Sequence, residues 1–121
     1  MKWPPGAIVV LAVLFVTGSA AAAAAHHSYS LYDSSNAVTL TGVIRTVTFE
    51  HPHVDVRLDV QGQVWMLDLP APSRARARGL TPEFLQVGRT ITVVGWPHRN
   101  GTPELAPTQI TFEGSTIRLR P

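Results

Sequence analysis

Residues 53–60 alternate without a fault. Val54, Val56, Leu58 and Val60 fall on one side and His53, Asp55, Arg57 and Asp59 on the other, the two-residue period of a strand that buries one face. Gln61-Gly62 then supplies a tight-turn pair and residues 64–69 return, so a β-hairpin is predicted. Upstream, residues 38–49 are dense in Thr and Val and contain Gly42, and a glycine inside a long strand marks a bulge or bend where one strand serves two sheets. Downstream, residues 89–96 and 104–112 read as two further strands separated by a loop at 97–101. Glu113-Gly114 offers a last turn into residues 117–119.

The pattern changes abruptly after the third strand. Pro70-Ala71-Pro72-Ser73 leads into Arg74-Ala75-Arg76-Ala77-Arg78 and then Gly79. With Ser73 as N-cap and Gly79 as stop, a helix is predicted over 73–79, its arginines exposed and Arg74 and Arg78 on one side by their four-residue spacing. A second helical turn is predicted at 81–85, where Pro82 follows Thr81 as proline follows a threonine cap. Three strands, a short helical connection and two strands is the order of a five-stranded barrel of the OB type. The expected fold class is therefore all-β with one short helix, a small five-stranded OB-like Greek-key barrel over residues 38–121. An antiparallel sandwich is the alternative, because alternation does not reveal closure. Val54, Val56, Leu58, Val93 and Ile110 are expected in the core.

Residues 1–25 obey a different rule. Met1-Lys2 is a short basic start, residues 8–16 are apolar, and Thr17-Gly18-Ser19 leads into an alanine run ending at Ala25. That is the anatomy of a secretory signal peptide. A retained anchor is the rival reading, since residues 7–25 just reach the length needed to span a bilayer. The expected organisation is a signal peptide at 1–25, a polar, turn-rich N-terminal tail at 26–37 with Tyr29 and Tyr32 as anchors onto the body, and the barrel at 38–121. The expected location is periplasmic or secreted, with membrane contact only through an uncleaved signal segment.

Composition narrows the rest. Lys2 is the only lysine, so past the signal nine arginines face eight acids, and the sequence pI of about 9.7 reflects late-titrating arginine rather than a basic face. There are no cysteines, so a chain this short must take its stability from sheet closure and packing. Ser28, Ser73 and Ser115 lack a nucleophile-elbow context, paired carboxylates at telling positions are missing, and no glycine-rich phosphate loop is present. No catalytic residues are assigned and no enzyme is expected.

Chemistry is concentrated in the histidines. Cleavage after Ala23, Ala24 or Ala25 would leave a free amine close to His26 and His27. An amine, intervening amides and an imidazole at position three form the square-planar nitrogen set favoured by Cu(II) and Ni(II), and a histidine terminus chelates copper by its amine and ring. His51 and His53 are two apart and share one face if the stretch is extended, with Asp55 continuing that face. The candidate metal ligands are accordingly His26, His27, His51 and His53, with copper as the candidate metal. The bland alternative has a solvated tail, His53 capping the strand end and His51 in solvent. His98, in the 97–101 loop, is expected to face solvent, and Trp65 and Trp96 are expected in the core.

The chain also resembles a family of small exported bacterial proteins of uncharacterised function, which begin after the signal with His-His-Ser and carry Asn-Pro-His at the second strand. The matching text is His26-His27-Ser28, Thr39-Leu40-Thr41-Gly42-Val43, Pro52-His53, Arg78-Gly79 and the strand from Gly88 to Gly95. Here His51 replaces the asparagine, and Val54-Asp55 replaces a small residue and an aromatic. The resemblance implies export and a compact β fold and carries no activity. Together these readings point to a monomeric exported binding module for a small ligand or metal ion such as Cu(II). The alternative is a structural or interaction module that contacts an envelope protein without metal. Nucleic acid is not an expected partner, since export removes it.

Overall fold

Strand β1 (Val38–Thr48) is shared between two neighbours. Its first half pairs antiparallel with β4 (Thr90–Pro97), from Val38↔Gly95 to Val43↔Thr90, and its second half with β2 (Asp55–Val60), from Val43↔Asp59 to Thr48↔Asp55. β2 turns into β3 (Gln63–Asp68), and β4 pairs with β5 (Glu104–Phe112). A short parallel contact between β3 and β5, Met66↔Glu104 and Leu67↔Leu105, closes the ring. The molecule is thus a closed five-stranded barrel with one short helix, in the OB order β1-β2-β3-β5-β4. A sixth strand, β6 (Ser115–Arg118), extends the sheet beyond β5 through a Glu113-Gly114 turn. This computed structural model describes residues 30–120; the segment 1–25, His26, His27 and Tyr29 lie outside them.

The alternating text of β2 does what its period requires. Val54, Val56 and Leu58 are fully buried, as are Val93 and Ile110, while Arg57 faces solvent. Ile44, Leu67, Ile91 and Leu105 complete the barrel interior, and Ala75, Leu80, Leu85 and Leu119 join the same core from the connections. Gln61 and Gly62 both take positive φ, 52° and 85°, the backbone of a type I′ hairpin turn whose twist matches the strands. That turn fixes the register of β2 against β3, from Val60↔Gln63 to Asp55↔Asp68.

Gly42 has a different role from the one its position suggests. The register shift in β1 falls between Ile44 and Thr46, not at Gly42. What Gly42 supplies is closeness: a Cβ there would collide with the carbonyl of Asp59 on β2. Gly95 is its counterpart on β4, where a Cβ would come within 2.6 Å of the Ala106 oxygen, beside a second register shift between Val94 and Gly95. Strands coiled tightly enough to close a barrel of five need such bare positions.

The helix, α1 (Pro72–Ala77), starts earlier than predicted. Ala71 occupies the N-cap without a side-chain bond, and Pro72 takes the first turn, where its fixed φ and missing N–H are harmless. Ser73 is therefore inside the helix and not its cap. The stop is as expected: Gly79 has φ 89°, its N–H bonds to Arg76, and the Leu80 N–H reaches back to Ala75, the paired bonds of a Schellman end. The second predicted helical turn is only a turn. Thr81 receives the Phe84 N–H on its side chain at 3.2 Å and the Leu85 N–H on its carbonyl at 3.1 Å, after which burial of Leu85 redirects the chain.

Candidate functional site

The type I′ turn sets Asp55 directly opposite Asp68 across β2 and β3. Two carboxylates in that relation repel. His53 stands beside them, two residues before Asp55, with its Nδ1 3.4 Å from Asp55 Oδ1 and 3.3 Å from Asp68 Oδ1. These are ion-pair distances, slightly long for a good hydrogen bond. Among the described residues no hydrogen bond is made to His53 Nε2, and the His53 side chain keeps 41% of its surface exposed. Asp55 Oδ1 is buried and has no hydrogen-bond partner among the described residues.

Tyr32 completes the cluster from the N-terminal segment. Its hydroxyl donates to Asp68 Oδ2 at 3.3 Å, and its ring is buried with 5% exposure. Burial pushes the Tyr32 phenol well above its usual range, and the negative charges of Asp68 and Glu104 push it further. The Asp68 carboxyl is also raised, mainly by burial, with Asp55 adding to the rise and His53 and the Tyr32 hydroxyl opposing it.

The segment carrying Tyr32 is strapped to the ends of β4 and β5. Asp33 N–H donates to the Pro97 carbonyl, Arg99 N–H to that of Leu31, and Arg99 Nε to that of Ser30. Tyr32 forms a bridge with His98, and the two rings meet edge to face at 5.2 Å. His98 does not face solvent as expected. Its side chain is only 11% exposed, because the N-terminal strap covers it, and its Nε2 lies 3.6 Å from Glu104 Oε2. Since Nδ1 accepts the Asn100 N–H at 3.2 Å, the neutral ring carries its proton on Nε2, toward Glu104.

The candidate ligands are therefore brought together only in part. His53 is in the cluster. His51 is exposed in a bend at His51-Pro52, a cis peptide bond, and β2 begins only at Asp55. The extended stretch that would have put His51 and His53 on one strand face is not formed. His26 and His27 lie outside the described residues. Among the described residues no group of three or more His, Cys, Asp and Glu side chains is arranged to hold a metal ion, so a complete site would need donors from elsewhere in the chain.

Asp68, Glu104 and His98 were not singled out as ligands by the sequence. The signal for Asp68 was present, because a two-residue turn at Gln61-Gly62 fixes its register opposite Asp55. Nothing local announces the strap over His98. Of the tryptophans, Trp65 packs partly buried against the core as expected, while Trp96 is half-buried beneath the Arg120 guanidinium, 5.0 Å from the ring centroid.

Comparison with known proteins adds a family and no activity. No curated protein matches the chain. Residues 13–105 match the family of unknown function DUF6152, a span that runs through the strap, the β2–β3 hairpin and α1 into β5. With more than half its length in that match, this chain belongs to the DUF6152 family.

Proposed function

We propose that the protein is an exported, monomeric binding module that holds one Cu(II) ion between His53 and the histidines His26 and His27, and that it is not a catalyst. The observation that carries this reading is the linkage Tyr32–Asp68–His53. It places the root of the segment bearing His26-His27 against the carboxylates that hold His53. His27 is five residues before Tyr32, about 17 Å of extended chain, enough to cross the cluster.

The local chemistry supports a ligand role for His53. Metal-binding imidazoles characteristically give one ring nitrogen to a carboxylate and the other to the ion. His53 presents Nδ1 to two carboxylates and leaves Nε2 unbonded among the described residues. Asp55 Oδ1, buried without a hydrogen bond, gains from a nearby positive charge. Copper prefers imidazole, amine and amide nitrogen, and a tail freed by cleavage among Ala23, Ala24 and Ala25 would add such donors. His51, in the exposed bend beside His53, is a further donor within the same stretch. Binding weakens as pH falls through the imidazole range, because each nitrogen must be unprotonated.

The second reading is a metal-free structural or interaction module of the cell envelope, favoured by the same cluster seen as a lock that ties the strap to the barrel. Neither reading involves nucleic acid. Intact mass of the exported protein, with and without copper, identifies its first residue and any retained metal. Titration with Cu(II) then compares wild type, His53→Ala and a form extended at the N-terminus. The expected result is weakened binding in both variants. Unchanged affinity in both would overturn the copper reading, and loss in the extended form alone would return His53 to the structural lock.

A further inference from the structure

The two arginines of α1, Arg74 and Arg76, and its C-cap Arg78 do not share one role. At about 100° per residue, Arg74 and Arg78 project from the helix within about 40° of each other and Arg76 from the opposite side. Arg76 is engaged, its guanidinium lying 4.9 Å from the centroid of the Phe49 ring. Arg74 and Arg78 line a cleft of about 250 Å³ together with Pro70, Ala77 and Leu119. No hydrogen bond or ion pair is made by either guanidinium among the described residues. The walls are firmly built: Ala75, fully buried, fixes the helix on the core, and the Leu119 N–H is bonded to Thr108 at 2.8 Å.

We infer that this cleft binds a phosphoryl group, the charge of which is shared by Arg74 and Arg78, with the carbon skeleton of the ester against Pro70, Ala77 and Leu119. One guanidinium is enough to saturate a carboxylate in a bidentate fork, whereas a phosphoryl group offers three oxygens and more charge to two forks. The two arginines are an i,i+4 like-charge pair, which is unfavourable in an empty helix face, and an anion between them removes that repulsion. A cleft of this size admits a phosphoryl group and a few attached carbons but not a large cofactor. The site is separate from the His53 cluster and does not depend on copper.

The test uses wild type, Arg74→Gln, Arg78→Gln, the double variant, and Arg76→Gln as the charge-matched control. The probes are glycerol 3-phosphate and inorganic phosphate by calorimetry, and phosphatidylcholine vesicles containing phosphatidic acid, a lipid with a terminal phosphate monoester, by co-sedimentation. Glutamine preserves helix propensity at these exposed positions, and circular dichroism checks that the fold is kept. Wild type is expected to bind, Arg74→Gln and Arg78→Gln to bind about tenfold or more weakly, and Arg76→Gln to bind as wild type. Binding to the soluble probes assigns the group to a free phosphate ester, and binding to vesicles alone assigns it to a lipid headgroup. No binding of any probe by wild type, unchanged binding by the double variant, or an equal loss in Arg76→Gln would each overturn the inference.

Discussion

Tyr32 Oη lies 3.3 Å from Asp68 Oδ2, joining residues 36 apart in sequence. This hydrogen bond is the point where the N-terminal strap meets the barrel's own charge cluster. Tyr32→Phe keeps the ring packed on His98 and removes only the donor. A hydrogen bond to a charged, part-buried acceptor contributes about 1–2 kcal/mol, and the loss is expected as a lowered urea midpoint with unchanged slope. The phenol's raised pKa adds a pH signature. The unfolded tyrosine loses its proton near its ordinary value of 10.0 while the folded one retains it, so wild type loses stability as pH rises above that value. Tyr32→Phe should lose that alkaline limb.

Asp68→Asn probes the acid side. The folded Asp68 carboxyl is raised above the ordinary aspartate value of 3.8, so between that value and the folded pKa the native protein holds more protons than the unfolded chain. The contribution of Asp68 to stability is then fully present below the unfolded pKa and declines as pH rises through the folded one. The stability of wild type relative to Asp68→Asn is expected to fall across that window in denaturant titrations at successive pH values. A difference that grew with pH would show that the pairing with His53 outweighs burial.

Gly42→Ala should be among the most damaging single substitutions. The new methyl would meet the Asp59 carbonyl and the Leu58 side chain, and backbone cannot yield as a flexible side chain can. Overpacking at such a contact costs about 1–3 kcal/mol or more. Gly62→Ala, although its glycine has φ 85°, meets nothing within 4 Å, so its cost is one of backbone conformation alone. Thermal melts of the two variants separate the two reasons for keeping a glycine.

Arg89→Lys tests whether charge or shape matters at the start of β4. The Arg89 guanidinium lies 3.8 Å from the centroid of the Phe112 ring and donates through Nη1 to the Phe84 carbonyl at 2.9 Å. An ammonium keeps the charge but cannot stack and donate in the same plane. Destabilisation of about 1 kcal/mol is expected, measured as a lowered denaturation midpoint without change in the far-ultraviolet spectrum.

The barrel was legible because its determinants are local. Period-two alternation in β2, turn residues at Gln61-Gly62 and Glu113-Gly114, and the helix stop at Gly79 are each written in a few consecutive residues. The core assignments of Val56 and Leu58 follow from the same alternation. The helix start was misplaced because Ser73 is a good cap by type, yet Pro72 before it already satisfies the geometry of a first helical residue. The site was harder to see for a different reason. Its parts come from the strap, the hairpin and the β4–β5 connection, and the burial of His98 depends on where Tyr32 docks from 66 positions away in the chain. Alternation shows which way a side chain points and is silent about what lies across from it.

The barrel's closure rests on the two parallel pairs Met66↔Glu104 and Leu67↔Leu105. During synthesis, β3 is complete long before its second neighbour exists. Until residues 104 and 105 have emerged, the ribbon formed by β1, β2 and β3 is an open edge, and its apolar face has only a partial cover. Formation of the closed ring therefore waits on nearly the last strand. A nascent chain held short of Leu105 remains an unclosed sheet, with one edge of β3 unpaired.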